Sequence, residues 1–183
     1  GHAILTGEPL IGDEPFAVIL ADDLCDSSSN GVISQMIDIY NKYQCSVIAI
    51  EEIPFTQIEK YGVIYGDLID GTSNTYRVTN MLEKPNSHDL IEFVDDRTDL
   101  KNVPSFMAII GRYILTPDIF DILKKIKPGK SGEIQITDAL LSQAKQGKVI
   151  AYKFKGKRFD CGSVEGYLEA TNHFAKTLGI NNI

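Results

Sequence analysis

Apolar residues fall along this chain in unbroken runs and in stripes of helical period, and the order of the two sets the architecture. The first run, Phe16-Ala-Val-Ile-Leu-Ala21, stops at Asp22-Asp23. A continuous run predicts a strand buried on both faces, the kind found in parallel sheets covered by helices. After the polar stretch Asp26-Ser-Ser-Ser-Asn-Gly31, apolar positions recur at Ile33, Met36, Ile37 and Tyr40, the stripe of an amphipathic helix. A second run, Cys45-Ser-Val-Ile-Ala-Ile50, follows at once. The three pieces predict a β-α-β unit with a right-handed crossover.

From Tyr61 to Pro85 the pattern is Gly62-Val-Ile-Tyr-Gly66, a turn-rich Asp70-Gly-Thr-Ser-Asn74, then Tyr76 to Lys84. This predicts two strands joined by a hairpin-like loop. The polar segment 86–104 is expected to be a loop with room for a short helix. Phe106 to Leu115 predicts another buried strand, and Thr116-Pro117-Asp118 a helix start with Thr as N-cap and apolar positions at Ile119, Ile122, Leu123 and Ile126. A further helix is expected over Glu133 to Gln146, and a basic strand segment over Val149 to Phe159. The last element is a helix over 163–178, capped by Ser163, with Val164, Tyr167, Leu168, Thr171, Phe174, Ala175 and Leu178 on one face and Gly179 beyond its end. Together these give an α/β chain, a mixed and mostly parallel sheet with flanking helices, read as one domain over 1–183.

Composition narrows the class without choosing a function. With 183 residues, 43% hydrophobic and 23% charged, the chain suits an ordinary globular domain. At this length folding buries roughly 70% of the unfolded surface, so no disulfide or structural metal is needed for a core. Eighteen Lys and Arg against 25 Asp and Glu give a net charge of −7, and no basic tail stands out. That excludes nucleic acid and anionic membrane as main partners, since both demand clustered cations. No apolar run approaches the ~20 residues of a membrane span. Cys25, Cys45 and Cys161 are odd in number and lack a CxxC spacing, which suits a reducing, cytoplasmic setting.

Candidate chemistry gathers at strand ends. Asp22 and Asp23 follow the first strand, where ligands of open α/β sheets bind, and a carboxylate there can hold Mg²⁺ or simply cap a turn. Glu83-Lys84-Pro85 ends another strand and offers an acceptor for sugar hydroxyls beside a cation for phosphate, or equally a solvated turn. Asp160 ends the basic segment and leads through Cys161-Gly162 into the capped last helix. The alternating Lys153, Lys155 and Lys157 fit the solvent face of an edge strand. Gly129-Lys130-Ser131 mimics the end of a P-loop, but Lys124 stands where that loop needs glycine and a helix precedes it.

Phe16-Ala-Val-Ile-Leu-Ala-Asp-Asp23, Lys60-Tyr-Gly-Val-Ile64, Glu83-Lys-Pro85, Ala108-Ile-Ile-Gly-Arg-Tyr-Ile-Leu115, Gly132-Glu-Ile-Gln-Ile-Thr-Asp-Ala139 and Phe154-Lys-Gly-Lys-Arg-Phe-Asp-Cys-Gly162 together resemble, in order and spacing over nearly the whole chain, the bacterial UTP–glucose-1-phosphate uridylyltransferases of the sugar-phosphate nucleotidyltransferase family. The resemblance implies a Rossmann-like fold and the reaction of UTP with glucose 1-phosphate to give UDP-glucose and pyrophosphate. It implies Mg²⁺ held by Asp22 and Asp160, a sugar-side phosphate met by Lys84, and glucose bound by Glu83 and the Gly62 N–H. Asp23 is then a loop-capping neighbour, while Thr137 and Asp138 organise a helix start or an interface without a catalytic role. One departure is Phe106 after Ser105, where many relatives have Asn. The expected partners are these small molecules and further copies of the chain.

Gly1-His2-Ala3-Ile4-Leu5 resembles the middle of the family's Gly-Leu-Gly-His-Ala helix start. The resemblance therefore implies that the glycine-rich Gly-x-Gly-Thr-Arg loop, which grips the triphosphate, and the residues that read uracil are missing, so that the chain alone is inactive. Two other readings stay open: a module that binds sugar phosphates or nucleotide sugars, and a thymidylyl-type relative.

Overall fold

The computed structural model describes residues 1–27, 30–86, 88–90, 105–129 and 132–180. Two short helical turns, α1 (His2–Leu5) and α2 (Glu8–Ile11), precede β1 (Phe16–Ile19), β2 (Asp23–Asp26) and α3 (Val32–Tyr43). Then come β3 (Ser46–Ile53), a 3-10 turn (Phe55–Lys60), β4 (Gly62–Leu68), β5 (Thr75–Glu83) and β6 (Phe106–Leu115). The chain continues through α4 (Asp118–Leu123), α5 (Ile136–Ala144), β7 (Val149–Lys153), β8 (Lys157–Asp160) and α6 (Val164–Thr177). Most of segment 86–104, together with Lys130 and Ser131 of the P-loop mimic, lies outside the described residues.

Six strands form one sheet in the order β1-β6-β3-β7-β5-β4, and β4 pairs back onto β6 at Val63–Ala108 and Ile64–Met107. The expected α/β fold with helices on both faces is present. Among the described strands β3 and β7 form the parallel pair, and the other neighbours are antiparallel. The β-α-β reading needs a correction: β1 and β3 both run opposite to β6 and so share a direction, but β6 lies between them. Periodicity fixes which residues make strands; it carries no information about a strand arriving some 60 residues later.

Alternation along the buried runs divides the core in two. Ile48, Ile50, Ile109, Tyr113, Val149 and Ala151 face α4 and α5. Their neighbours Val47, Ala49, Ile110, Ile114 and Ile150 face α3, whose Val32 and Met36 are buried against them. Period-2 geometry thus explains why β3 and β6 read as continuous apolar runs. β1 does not share this fate. Phe16 and Val18 pack on the α4 side, with Phe16 stacked on Phe120 at 5.0 Å between ring centroids, whereas Ala17 and Ile19 face outward and are exposed. The both-faces-buried expectation for Phe16 to Ala21 therefore fails: β1 is an edge strand paired, among the described residues, with β6.

Three further expectations shift. Thr116 does not cap α4 by its side chain; its hydroxyl joins a polar cluster with Ser46, Gln143 and Asp118 that ties β3, α4 and α5 together. The basic segment breaks into two strands at residues 154–156, and Lys153 ends an interior strand with an ion pair to Glu52 at 2.9 Å, so the edge-strand reading fails for Lys153 and Lys155 and holds for Lys157, exposed on β8 of a separate two-stranded sheet. The last helix does start at Ser163, whose hydroxyl accepts from the Gly166 N–H at 3.1 Å. Its burial, however, is confined to Gly166, Ala170 and Ala175, and the apolar face at Val164, Tyr167, Leu168 and Leu178 is exposed. Among the described residues no helix is long and apolar enough to cross a membrane.

Candidate functional site

β2 and β8 form a separate two-stranded ribbon that sets Asp23 directly opposite Asp160. The ribbon closes over the part of the main sheet where β4 begins, β5 ends and Gly111 lies in β6. Between them lies a cavity of about 320 Å³ lined by Asp22, Gly62, Glu83, Lys84 and Asp160, all five of the residues singled out from the sequence. Lys60, Tyr61, Gly111, Tyr113, Thr137 and Arg158 complete much of its wall.

At one end of the cavity two carboxylates converge. Asp22 Oδ2 and Asp160 Oδ1 lie 3.5 and 3.2 Å from the point where a Cβ on Gly162 would sit. The turn that carries Asp22 is fixed by its carbonyl, which accepts from the Cys161 N–H at 2.7 Å, so the two aspartates are tied through the backbone as well. Asp160 Oδ2 accepts from the Tyr61 hydroxyl at 2.6 Å, and Oδ1 from the Gly162 N–H at 3.2 Å. Burial works against ionising Asp160, but the Tyr61 bond, the Arg158 charge, the Gly162 N–H and Lys60 outweigh it and hold its carboxyl below the ordinary value. Burial, followed by the bond to Asp160, pushes the Tyr61 phenol up, so it remains a donor at neutral pH.

No group of three or more His, Cys, Asp or Glu side chains gathers for a metal among the described residues. A pair of facing carboxylates on an open wall is nevertheless what a Mg²⁺ bridging to phosphate oxygens requires, since that ion keeps most of its shell for water and substrate. The donor set fits such an ion.

The other end of the cavity presents a carboxylate acceptor beside a cation. Gly62 and Glu83 are paired in the β4–β5 ladder. A Cβ at Gly62 would come 3.2 Å from Glu83 Oε2 and 3.2 Å from Ile109 Cδ1, so the absence of a side chain leaves backbone and carboxylate open to the same space. Thr137, buried in the first turn of α5, donates its hydroxyl to Glu83 and fixes that carboxylate's rotation. The expectation that Thr137 organises a helix start or an interface is thus extended: it orients a candidate site residue. Lys84 follows with φ +44°, a left-handed conformation uncommon for a residue with a side chain, while its N–H reaches the Tyr61 carbonyl at 3.1 Å. Lys84 is exposed and contributes to the cavity wall.

Asp23 is more than a loop cap. It is buried, its Oδ2 accepts from the Gly111 N–H at 2.7 Å, its Oδ1 accepts from Arg158 Nε, and its carbonyl accepts from Arg112. Arg112, itself buried, also donates to the Leu20 carbonyl at 2.9 Å. Sequence reasoning missed Arg158, Arg112 and Tyr61. The first had a usable signal, because Arg158 and Asp160 are two apart in a strand and must share a face.

One cavity at the strand ends thus brings together two converging aspartates and a Glu-Lys pair. Residues 1–177 match the Nucleotidyl transferase family, and the chain belongs to it. Among curated relatives, a UTP–glucose-1-phosphate uridylyltransferase of Pseudomonas aeruginosa is 57% identical over 179 residues, covering 97% of this chain and 59% of its own length. A crystal structure of a UDP-glucose pyrophosphorylase complexed with UDP-glucose superposes with a TM-score of 0.82 at 56% identity, over 96% of this chain and 61% of that one. A UTP-bound UDP-glucose pyrophosphorylase from Acinetobacter baumannii gives 0.75 at 31% identity, over 95% and 55%. The chain therefore spans about three fifths of the length of these relatives.

Proposed function

We propose that this chain forms the sugar-phosphate and metal half of an enzyme that transfers a uridylyl group from UTP to glucose 1-phosphate, releasing pyrophosphate and UDP-glucose. The observation that carries the reading is the single cavity in which Asp22, Asp160, Gly62, Glu83 and Lys84 meet. The uridylyltransferase name borne by the 57% identical relative supports the base and the sugar.

The attacking atom is a phosphate oxygen of glucose 1-phosphate, already ionised at neutral pH, so no general base is required. What must be overcome is the repulsion of two polyanions, and the site supplies position and opposite charge. Lys84 takes the sugar phosphate at the cavity mouth. Glu83, held by Thr137, and the Gly62 N–H fix the glucose hydroxyls, which sets the phosphate oxygen in line. Asp22 and Asp160 would hold Mg²⁺, which would supply positive charge against the charge developing on the transferred phosphate. Tyr61 and the Gly162 N–H keep Asp160 ionised for that task. A cytoplasmic setting in carbohydrate metabolism follows from these substrates.

The test is pyrophosphate release from UTP and glucose 1-phosphate by protein of the relatives' full length carrying this sequence. We expect Mg²⁺-dependent turnover that Asp22→Ala abolishes, and none from the 183-residue chain by itself. Normal rates after Asp22→Ala would refute the metal assignment. UDP-glucose binding without turnover in the full-length protein would favour a binding module, and preference for a thymidine nucleotide would reassign the base.

A further inference from the structure

We propose that Asp23 is a positioning residue that sets how Asp22 and Asp160 face one another, acting through Arg158 and never touching the metal; the proposal rests on the metal reading above. Arg158 is buried to 7% side-chain exposure, with its guanidinium 4.8 Å over the Tyr61 ring and carboxylates on three sides. Asp23 takes Nε, Glu51 lies 3.5 Å from one terminal nitrogen, and Asp160 lies 3.4 Å from the other. The last distance is long for a charge-assisted hydrogen bond, which closes to about 2.7–2.9 Å. Asp160 is attracted by the guanidinium without being captured by it. Its Oδ2 is left to the Tyr61 hydroxyl, and its Oδ1 is directed to the side where Asp22 arrives.

Asp23 is what maintains that separation. With Nε engaged by a buried carboxylate, the planar guanidinium has a fixed orientation. Remove that negative charge, and a buried cation loses a counter-ion and closes on Asp160 as a bidentate pair, using the lone pairs a divalent cation needs. Asp23→Asn separates this effect from loss of the turn, because the amide oxygen still accepts from Gly111 while its charge is gone.

The experiment is Mn²⁺ titration of the 183-residue chain, reading free Mn²⁺ by electron paramagnetic resonance, with folding checked by circular dichroism. Asp23→Asn is expected to weaken Mn²⁺ binding about tenfold, the scale on which residues behind metal ligands act. In an Arg158→Gln background the same substitution is expected to change affinity by less than about twofold, because the cation it releases is absent. Unchanged affinity in the single variant, or an equal loss in both backgrounds, overturns the proposal. If Asp23→Asn does not fold, Arg158→Lys asks the same question from the other partner: it keeps the charge, loses the fork, and is expected to weaken binding about tenfold. Unchanged affinity there refutes the proposal. Asp22→Ala is the control: Mn²⁺ binding that it leaves intact overturns the metal reading itself, and the positioning role falls with it.

Discussion

Gly111 lies in the extended backbone of β6, so alanine at this position is not resisted by φ and ψ; what opposes it is space. A Cβ there would sit 2.6 Å from Asp23 Oδ2 and 2.6 Å from Leu20 Cβ. Favourable carbon contacts begin near ~3.5 Å, so the Leu20–Asp23 turn must retreat by about 1 Å. The retreat breaks the 2.7 Å bond from the Gly111 N–H to Asp23. Overpacking of this kind costs about 1–3 kcal/mol, and a hydrogen bond to a charged group contributes about 1.5–3 kcal/mol. Because one movement relieves the clash and breaks the bond, the two do not simply add, and Gly111→Ala is expected to cost about 2–4 kcal/mol. For a domain of this length each kcal/mol lowers the midpoint by about 2–4 °C, so the melting temperature is expected to fall by about 4–16 °C. Gly62→Ala is the comparison: its Cβ meets the movable ends of Glu83 and Ile109 at 3.2 Å, and its cost is expected to stay below about 1 kcal/mol. Thermal unfolding followed by circular dichroism distinguishes the two. A midpoint for Gly111→Ala within about 1 °C of the unsubstituted chain would show that the Asp22 turn is not packed as described.

Two other outcomes are expected. Thr137→Val keeps shape but removes the hydroxyl that orients Glu83, so UDP-glucose affinity should fall several-fold in calorimetry while the melting temperature hardly moves; equal affinity would remove Thr137 from the site. Asp118 is opposed by burial, yet Thr116, Gln143 and Lys148 hold its carboxyl below the ordinary value, so its stabilisation is complete above the unfolded pKa of about 3.9 and is lost as pH falls through the lower folded value. Asp118→Asn should therefore lower the melting temperature at pH 7 but reduce its drop between pH 5 and 3; parallel pH curves would contradict that linkage.

The five candidate site residues were reached through the family resemblance: strand-end position by itself left Asp22, Glu83 and Lys84 open to a turn reading, and Gly62 entered by similarity alone. The residues that hold them in place were not. Arg158 reads as one more cation in a basic stretch, and only the ribbon pairing of β2 with β8 reveals that it is buried between Asp23 and Asp160. Tyr61 and Thr137 act across 99 and 54 positions of chain, distances at which periodicity and motif spacing carry no information.

The same division runs through the fold. By itself the sequence determined most of the segments that become strands and helices, since alternation and helical stripes are local, and the cap of the last helix, since Ser163 needs only the N–H three residues on; it left α1, α2 and β2 unread. Tertiary structure alone decided that β6 enters between β1 and β3, that β1 has one face on the core and one in the open, and that Val164, Tyr167 and Leu168 of α6 face outward while Ala175 is buried. Burial depends on what else arrives at a surface, and a hydrophobic pattern records only that a face can be covered.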